Sequence, residues 1–309
     1  MIVTVTPNPS IDRTLRIPSI ERGGLVRAVS ATAEAGGKGI NVSRALTTQG
    51  HATLAVAPLS ESSASVLRSL LGGAAPIDSV PIVGDMRVNI SLVEEDGTVT
   101  KVNEPGPQLS EDETEALLAR TAALAAGATW VAGCGSLAPG MPIDFYARLS
   151  RRMPPGVRVA VDAEGPALRA CLGERVALIK PNHGELEGLI GRPLPTLGDV
   201  VVAAGELVAA GFETLLVSLG ADGALHVDRD GATHAEAHLD GVLNNVGAGD
   251  ALLAGYLAAD GGRDALAPAV AWSVAACRSP GTTMREVSAE DMRAVTVHDS
   301  TAASRRLAA

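Results

Sequence analysis

Short runs of β-branched and other apolar residues alternate along the chain with longer stretches whose apolar positions recur at helical spacing. The pattern predicts strands over 2–6, 53–57, 129–132, 157–161, 176–179 and 214–218. It predicts helices over 39–49, 142–152, 197–210, 247–259 and about 264–278. Strands that read as continuous apolar runs are buried on both faces, which is the mark of a parallel sheet with helices on either side. The expected fold class is therefore α/β, a doubly wound, mostly parallel sheet.

Two stretches break this rhythm. Segments 87–94 and 99–102 flank Asp96-Gly97, a pair that favours a tight hairpin. Together with extended-looking segments near 13–18 and 26–33 they predict a small antiparallel sheet outside the main one. A second hairpin is expected around Asp230-Gly231, between 223–228 and 232–237. The last dozen residues read as a frayed tail. No long linker, repeat or low-complexity tract interrupts the chain, so one main domain with a small β lid is expected.

Composition narrows the function classes. Among 309 residues, 25 Lys and Arg stand against 35 Asp and Glu, a formal charge of −10. That balance opposes a general nucleic-acid surface, which needs excess cations. No apolar run reaches the roughly 18 residues that span a bilayer, and the first residues, MIVTVTPNPSID, lack the pattern of a secretory signal. Cys134, Cys171 and Cys277 are too few and too far apart for a disulfide framework or a cysteine zinc site. A cytoplasmic protein without nucleic-acid or membrane partners is expected.

Five glycine-bearing turns carry the candidate chemistry, and each also has a plain structural reading. Gly36-Gly37-Lys38-Gly39 leads into a helix containing Asn41. Its glycines permit close backbone approach, and Lys38 beside a helix N-terminus attracts an oxygen-rich ligand; the alternative is an ordinary turn with a solvated lysine. Gly133-Cys134-Gly135-Ser136-Leu137-Ala138 matches the dinucleotide fingerprint. However, Pro139, Gly140 and Pro142 delay the next helix by about a turn. Lys180-Pro181-Asn182-His183-Gly184-Glu185 places an amide and a carboxylate three residues apart, suited to ordering water around Mg²⁺ or to a capping box. Ser218 to Gly223 lies between two strands, where glycine amides hold a nucleotide phosphate or simply turn the chain. Asn244-Asn245-Val246-Gly247-Ala248-Gly249-Asp250 opens an apolar helix with bare backbone N–H groups. There Asp250 is placed to take a proton from an attacking hydroxyl. The structural alternative is a helix-dipole carboxylate worth about 0.3–1 kcal/mol.

In this order the turns resemble the ribokinase/PfkB family of carbohydrate kinases, over about 2–283. Also similar are the opening Thr6-Pro7-Asn8-Pro9-Ser10-Ile11-Asp12, the stretch Arg87-Val88-Asn89-Ile90, and the run from Thr100 to Pro107. The resemblance implies a ribokinase-like fold in a single domain over 1–309, with lid segments about 12–33 and 85–104. It implies ATP as co-substrate with Mg²⁺, and a homodimer formed through the lid. Asp250 becomes the catalytic base, with Gly247, Ala248 and Gly249 as the anion hole. Asp12, Gly37, Lys38 and Asn41 would hold sugar hydroxyls, and Arg27 and Arg87 an existing phosphate, with Asn89 and Ser136 nearby. Lys180, Asn182 and Glu185 would face the ATP phosphates, Glu185 meeting the metal through water, and Ser218, Gly220 and Gly223 the nucleotide. Asn245, Val26 and Ser91 stand where Thr, Asn and Lys are common in such proteins. The acceptor expected is a phosphorylated ketohexose, D-fructose 1-phosphate going to fructose 1,6-bisphosphate, with tagatose 6-phosphate or fructose 6-phosphate as alternatives. From other classes, a dinucleotide-dependent oxidoreductase built on 133–138 and a non-catalytic sugar-phosphate sensor remain.

Overall fold

The computed structural model describes residues 1–239, 241, 243–279, 281, 284–298 and 302–308. Its strands are β1 (Ile2–Val5), β2 (Ser10–Arg16), β3 (Ser30–Gly36), β4 (Thr53–Leu59), β5 (Ile77–Pro81), β6 (Arg87–Val93) and β7 (Val99–Asn103). They continue with β8 (Trp130–Cys134), β9 (Arg158–Asp162), β10 (Leu178–Ile179), β11 (Leu215–Ser218), β12 (Ala224–Asp228), β13 (Gly231–Ala237) and β14 (Val295–His298). The helices are α1 (Lys38–Thr48), α2 (Glu61–Leu71), α3 (Glu111–Leu124), α4 (Phe145–Arg152) and α5 (Gly165–Arg169). After them come α6 (His183–Ile190), α7 (Leu197–Ala210), α8 (Ala248–Ala258), α9 (Leu266–Cys277) and α10 (Ala289–Arg293).

The main sheet runs β14-β13-β12-β11-β10-β9-β8-β1-β4-β5. From β5 to β11 every pairing is parallel, and β12, β13 and β14 extend it antiparallel. Alternate side chains of one strand enter opposite layers. Val3, Val131, Val159 and Val161 pack with Leu117, Phe145, Leu149 and Val200 on one face. Ile2, Ala132, Ala160 and Leu178 pack with Val42, Leu252, Leu257 and Leu266 on the other. Both faces being dry is what makes the strands read as unbroken apolar runs.

The small sheet has the order β3-β2-β6-β7. It is mixed rather than antiparallel as the sequence suggested, because its central pair, β2 and β6, runs parallel with Ser10 opposite Arg87. The cause is topological: β2 follows β1 and β6 follows β5, two parallel strands that end on the same edge, so both excursions leave in one direction. The hairpin expected at Asp230-Gly231 is present as β12–β13. The frayed tail is not found over the described residues 302–308; 299–301 and 309 lie outside the described residues. Arg306 bridges to Thr196, the amide of Leu307 donates to Pro195 O (3.1 Å), and the Leu307 side chain packs against the core.

Candidate functional site

The glycine-bearing turns gather along the carboxyl edge of the parallel strands, beneath the small sheet. Each turn is shaped by a local steric demand. Gly37, the residue before α1, has φ 118°, and a Cβ there would sit 2.7 Å from Thr6 Cγ2. A Cβ on Gly39 would lie 2.6 Å from Thr6 Oγ1. Only glycine lets α1 start flush against the end of β1, and that start is what aims Lys38 across the sheet edge. Gly36 is similarly bound to its place, since a Cβ would press on the Asp12 carboxylate at 2.5 Å.

At the centre stands a charge cluster. Lys38 Nζ lies 2.9 Å from Asp162 Oδ1, and Lys180 Nζ 3.0 Å from Asp162 Oδ2. Asp162 ends β9 and is completely buried. Burial drives its carboxyl pKa up, but the two lysines outweigh that and hold it below the ordinary range. Burial opposes the charge on Lys38, yet Asp162, Glu185 and Asp250 hold its pKa above the usual lysine value. In the sequence Asp162 stands out only as an acid that ends a strand 29 residues after Gly133, farther than the spacing of about 20 that a dinucleotide fingerprint uses. The overlooked signal was an acid ending a strand with dry faces, which must be paired to be tolerated.

Asp250 sits in the first turn of α8 with 8% of its surface exposed. Asn41 Nδ2 donates to its Oδ2 at 2.9 Å. Burial, then repulsion from Asp162, raises its pKa to about 6, against the Asn41 hydrogen bond and the attraction of Lys180 and Lys38. Gly247 precedes the helix at φ 83°. The amide of Ala248 turns back to Asn245 O at 3.3 Å, so Gly249 and Asp250 are the first-turn donors open to an anion. A Cβ on Gly249 would come within 3.6 Å of Lys180 Nζ, which brings that ammonium to the same helix end.

Asn182 and Glu185 form the capping box of α6: Glu185 N donates to Asn182 Oδ1 (2.8 Å) and Asn182 N to Glu185 Oε2 (2.9 Å). The box leaves Glu185 Oε1 3.8 Å from Lys38 Nζ. One carboxylate oxygen beside a lysine suits a water shared with a hydrated Mg²⁺ carried by phosphates. Ser218 bridges to Asn182 at the end of β11, and Gly220 and Gly223 both have positive φ. His183 contacts Leu194 O through Nε2 at 2.8 Å and serves the turn.

The small sheet contributes a second group. Asp12 Oδ1 accepts from Ser10 Oγ (2.8 Å) and from Asn89 Nδ2 (3.0 Å). Arg87 reaches Ser136 Oγ at 3.4 Å. The carbonyl oxygens of the Asn41 and Asn89 side chains are buried without a partner among the described residues, each able to accept from a hydroxyl. Arg27 is exposed in the connection between β2 and β3 and is not drawn into this group.

The dinucleotide alternative fails on geometry. Gly133 and Cys134 are still inside β8, Gly135 N donates to Asp162 O (2.8 Å), and no helix begins until Phe145. Gly133 is small because Tyr146 packs on it, with a Cβ position 2.6 Å from Tyr146 Cδ1. That is also why the helix expected over 142–152 starts at Phe145: its first aromatic pair seats against this strand. Burial pushes the Cys134 thiol pKa well up, which makes it unreactive.

A doubly wound sheet, a glycine-rich helix start with a buried carboxylate, and a small sheet over the same edge together define a sugar kinase of ribokinase-like fold. The chain belongs to the pfkB family of carbohydrate kinases, whose profile matches residues 6–287. It is 36% identical over 264 residues to a 1-phosphofructokinase of Xanthomonas campestris pv. campestris, covering 83% of each protein. It is 39% identical over 261 residues to a 1-phosphofructokinase of Haloferax volcanii, covering 84% of each. Phosphofructokinase-2 from Escherichia coli in complex with fructose-6-phosphate superposes with a TM-score of 0.81 at 31% identity, covering 94% of this chain and 96% of that one.

Proposed function

We propose that this kinase transfers the γ-phosphoryl group of ATP to the 6-hydroxyl of D-fructose 1-phosphate, giving ADP and fructose 1,6-bisphosphate. The observation that carries the reading is the Asp250 carboxylate, buried at the opening of α8, held by Asn41, and set among Lys38, Lys180 and Asp162. The hydroxyl oxygen forms its bond to the γ-phosphorus as the bond to the β-phosphate oxygen breaks, and the hydroxyl proton passes to Asp250. With a pKa of about 6 the carboxylate is ionised at neutral pH yet basic enough to accept that proton. Charge developing on the transferred group meets the amides of Gly249 and Asp250 and the ammonium of Lys180.

Asp12, Gly37, Lys38 and Asn41 orient the sugar, while Arg87, with Asn89 and Ser136, takes its existing phosphate. Arg27, exposed in the connection between β2 and β3, joins them when the small sheet closes as a lid. Lys180, Asn182 and the Ser218–Gly223 turn receive ATP, and Mg²⁺ bound to its phosphates would neutralise their charge beside Glu185. Leu25 and Val29, 76% and 72% exposed on the same lid, support pairing of two lids in a homodimer. Three free cysteines accord with a cytoplasmic protein, and no helix among the described residues is long and apolar enough to cross a membrane.

The test is ADP release across a panel of ketohexose phosphates, compared by kcat/KM. Fructose 1-phosphate is expected to lead. The fructose-6-phosphate complex of the E. coli relative gives one competitor a specific claim, and a higher kcat/KM for fructose 6-phosphate would reassign the acceptor. Absence of ADP release with every sugar, alongside tight sugar-phosphate binding, would make the protein a sensor.

A further inference from the structure

The segment 302–308 is fastened to the back of the Ser218–Gly223 turn. Asp222 closes the short 3₁₀ turn Gly220–Asp222 and is 7% exposed. Its Oδ1 receives the guanidinium of Arg305 at 2.7 Å and its Oδ2 the amide of Ala308 at 2.7 Å. The other branch of Arg305 reaches Glu236 Oε2 at 2.6 Å, and Glu236 Oε1 also holds His298 Nε2 at 2.8 Å. The segment is itself moored on the start of α7, where Leu197 N donates to Arg305 O (2.9 Å) and Gly198 N to Ala303 O (3.0 Å). A Cβ on Gly198 would lie 2.7 Å from Ala303 O, so the two backbones are in direct contact. The turn closes on itself through Leu219 N to Gly223 O (2.8 Å) and Asp222 N to Leu219 O (3.1 Å), and His234 Nε2 contacts Asp222 O at 2.7 Å. Gly220 at φ 60° and Gly223 at φ 83° leave its backbone a freedom that Arg305, on the Asp222 side chain, restricts from behind.

We propose that Arg305 is a positioning residue for nucleotide binding: by clamping Asp222 it fixes the 218–223 turn in the form that receives ATP. The inference rests on the assignment of that turn to the nucleotide. Arg305 acts through Asp222, whose carboxylate it holds, so its effect belongs to the affinity for ATP and not to the chemical step. Linkage makes the coupling reciprocal: a clamp that favours ATP is in turn tightened by ATP.

Steady-state kinetics with each substrate varied in turn tests it. Arg305→Ala is expected to raise KM for ATP roughly fivefold or more, with kcat at saturating ATP and KM for the sugar phosphate within about twofold of the parent. Arg305→Lys keeps the charge but loses the bridge to Glu236 and should fall between; it carries the test if the alanine variant does not fold. Hydrogen exchange of the unaltered protein gives a second readout. A non-hydrolysable ATP analogue should slow exchange at 302–308 as well as at 218–223, and the sugar phosphate alone should not. An unchanged KM for ATP in both Arg305 variants, or exchange at 302–308 indifferent to the analogue, overturns the proposal. Gly220→Val separates the two layers. If it raises KM for ATP while the Arg305 variants do not, only the clamp fails; if none of them does, the assignment of the turn to the nucleotide fails as well.

Discussion

Asp250 is buried at an electrostatic cost, and its consequences run in two directions. Its folded-state pKa of about 6 lies above the ordinary value of 3.8, so the folded protein holds the proton more tightly than the unfolded chain does. The contribution of Asp250 to stability is therefore greatest below the unfolded value and is lost as pH rises toward 6, by about 1–3 kcal/mol. Asp250→Asn removes that cost while keeping an acceptor for Asn41. The variant should melt at a higher temperature than the parent at pH 7.5, measured by calorimetry, while kcat falls by about three orders of magnitude or more. Near-normal turnover would remove Asp250 from the role of base. In the unaltered protein kcat/KM for the sugar phosphate should fall about tenfold per pH unit below 6 and level off above it, a profile that pH-jump assays will read. Asp162 tests the same cluster from beneath. Asp162→Asn leaves two ammoniums facing each other and should cost about 3–5 kcal/mol in denaturant unfolding. It should also move the acid limb of the rate profile to lower pH, because its charge helps raise the pKa of Asp250.

Among the elements, the divide between what the sequence disclosed and what it withheld follows the range of the interactions. The parallel strands and the β12–β13 hairpin were legible because burial on both faces and a two-residue turn leave local patterns. The glycine turns were legible as turns, and Gly247 to Asp250 as the opening of an apolar helix with Asp250 in its first turn; that the Ala248 amide turns back to Asn245 O instead of facing outward was not. The parallel pairing of β2 with β6 was not, since it depends on which edge β1 and β5 share, a fact set by the whole sheet. The docking of 302–308 was equally hidden: its anchors, Pro195, Leu197, Asp222 and Glu236, are distant in sequence and polar contacts carry no periodicity. The same holds for Asp162, whose partners lie on α1 and after β10. The small sheet has its own prediction. Arg87 lies on β6 beside Asn89, which donates to Asp12 on β2, so Arg87→Ala should raise KM for fructose 1-phosphate at least about tenfold while KM for ATP changes little. A rise confined to ATP would place the sugar phosphate elsewhere.

The molecule as a whole carries a net charge of −10 and yet is read as binding two polyanions, so its affinity must come from cations held in place, not from long-range attraction. Lys38 and Lys180 are fixed by ion pairs to Asp162, and Arg87 is partly buried. Assembly is the other whole-molecule property. Replacing Leu25 and Val29 together by Asp should convert a dimer to a monomer in sedimentation experiments, and a wild-type protein that sediments as a monomer would refute the lid interface. The parallel bond between β2 and β6 has a consequence for biogenesis. On the ribosome β2 emerges early, but its neighbour β6 follows only after α1, β4, α2 and β5 have been made. In that interval the β2–β3 hairpin presents an open ladder of backbone donors and acceptors, and polysomes bring many copies of it close together. Synthesis itself thus offers each nascent chain a neighbour's edge before its own, the setting in which unpaired strands associate wrongly.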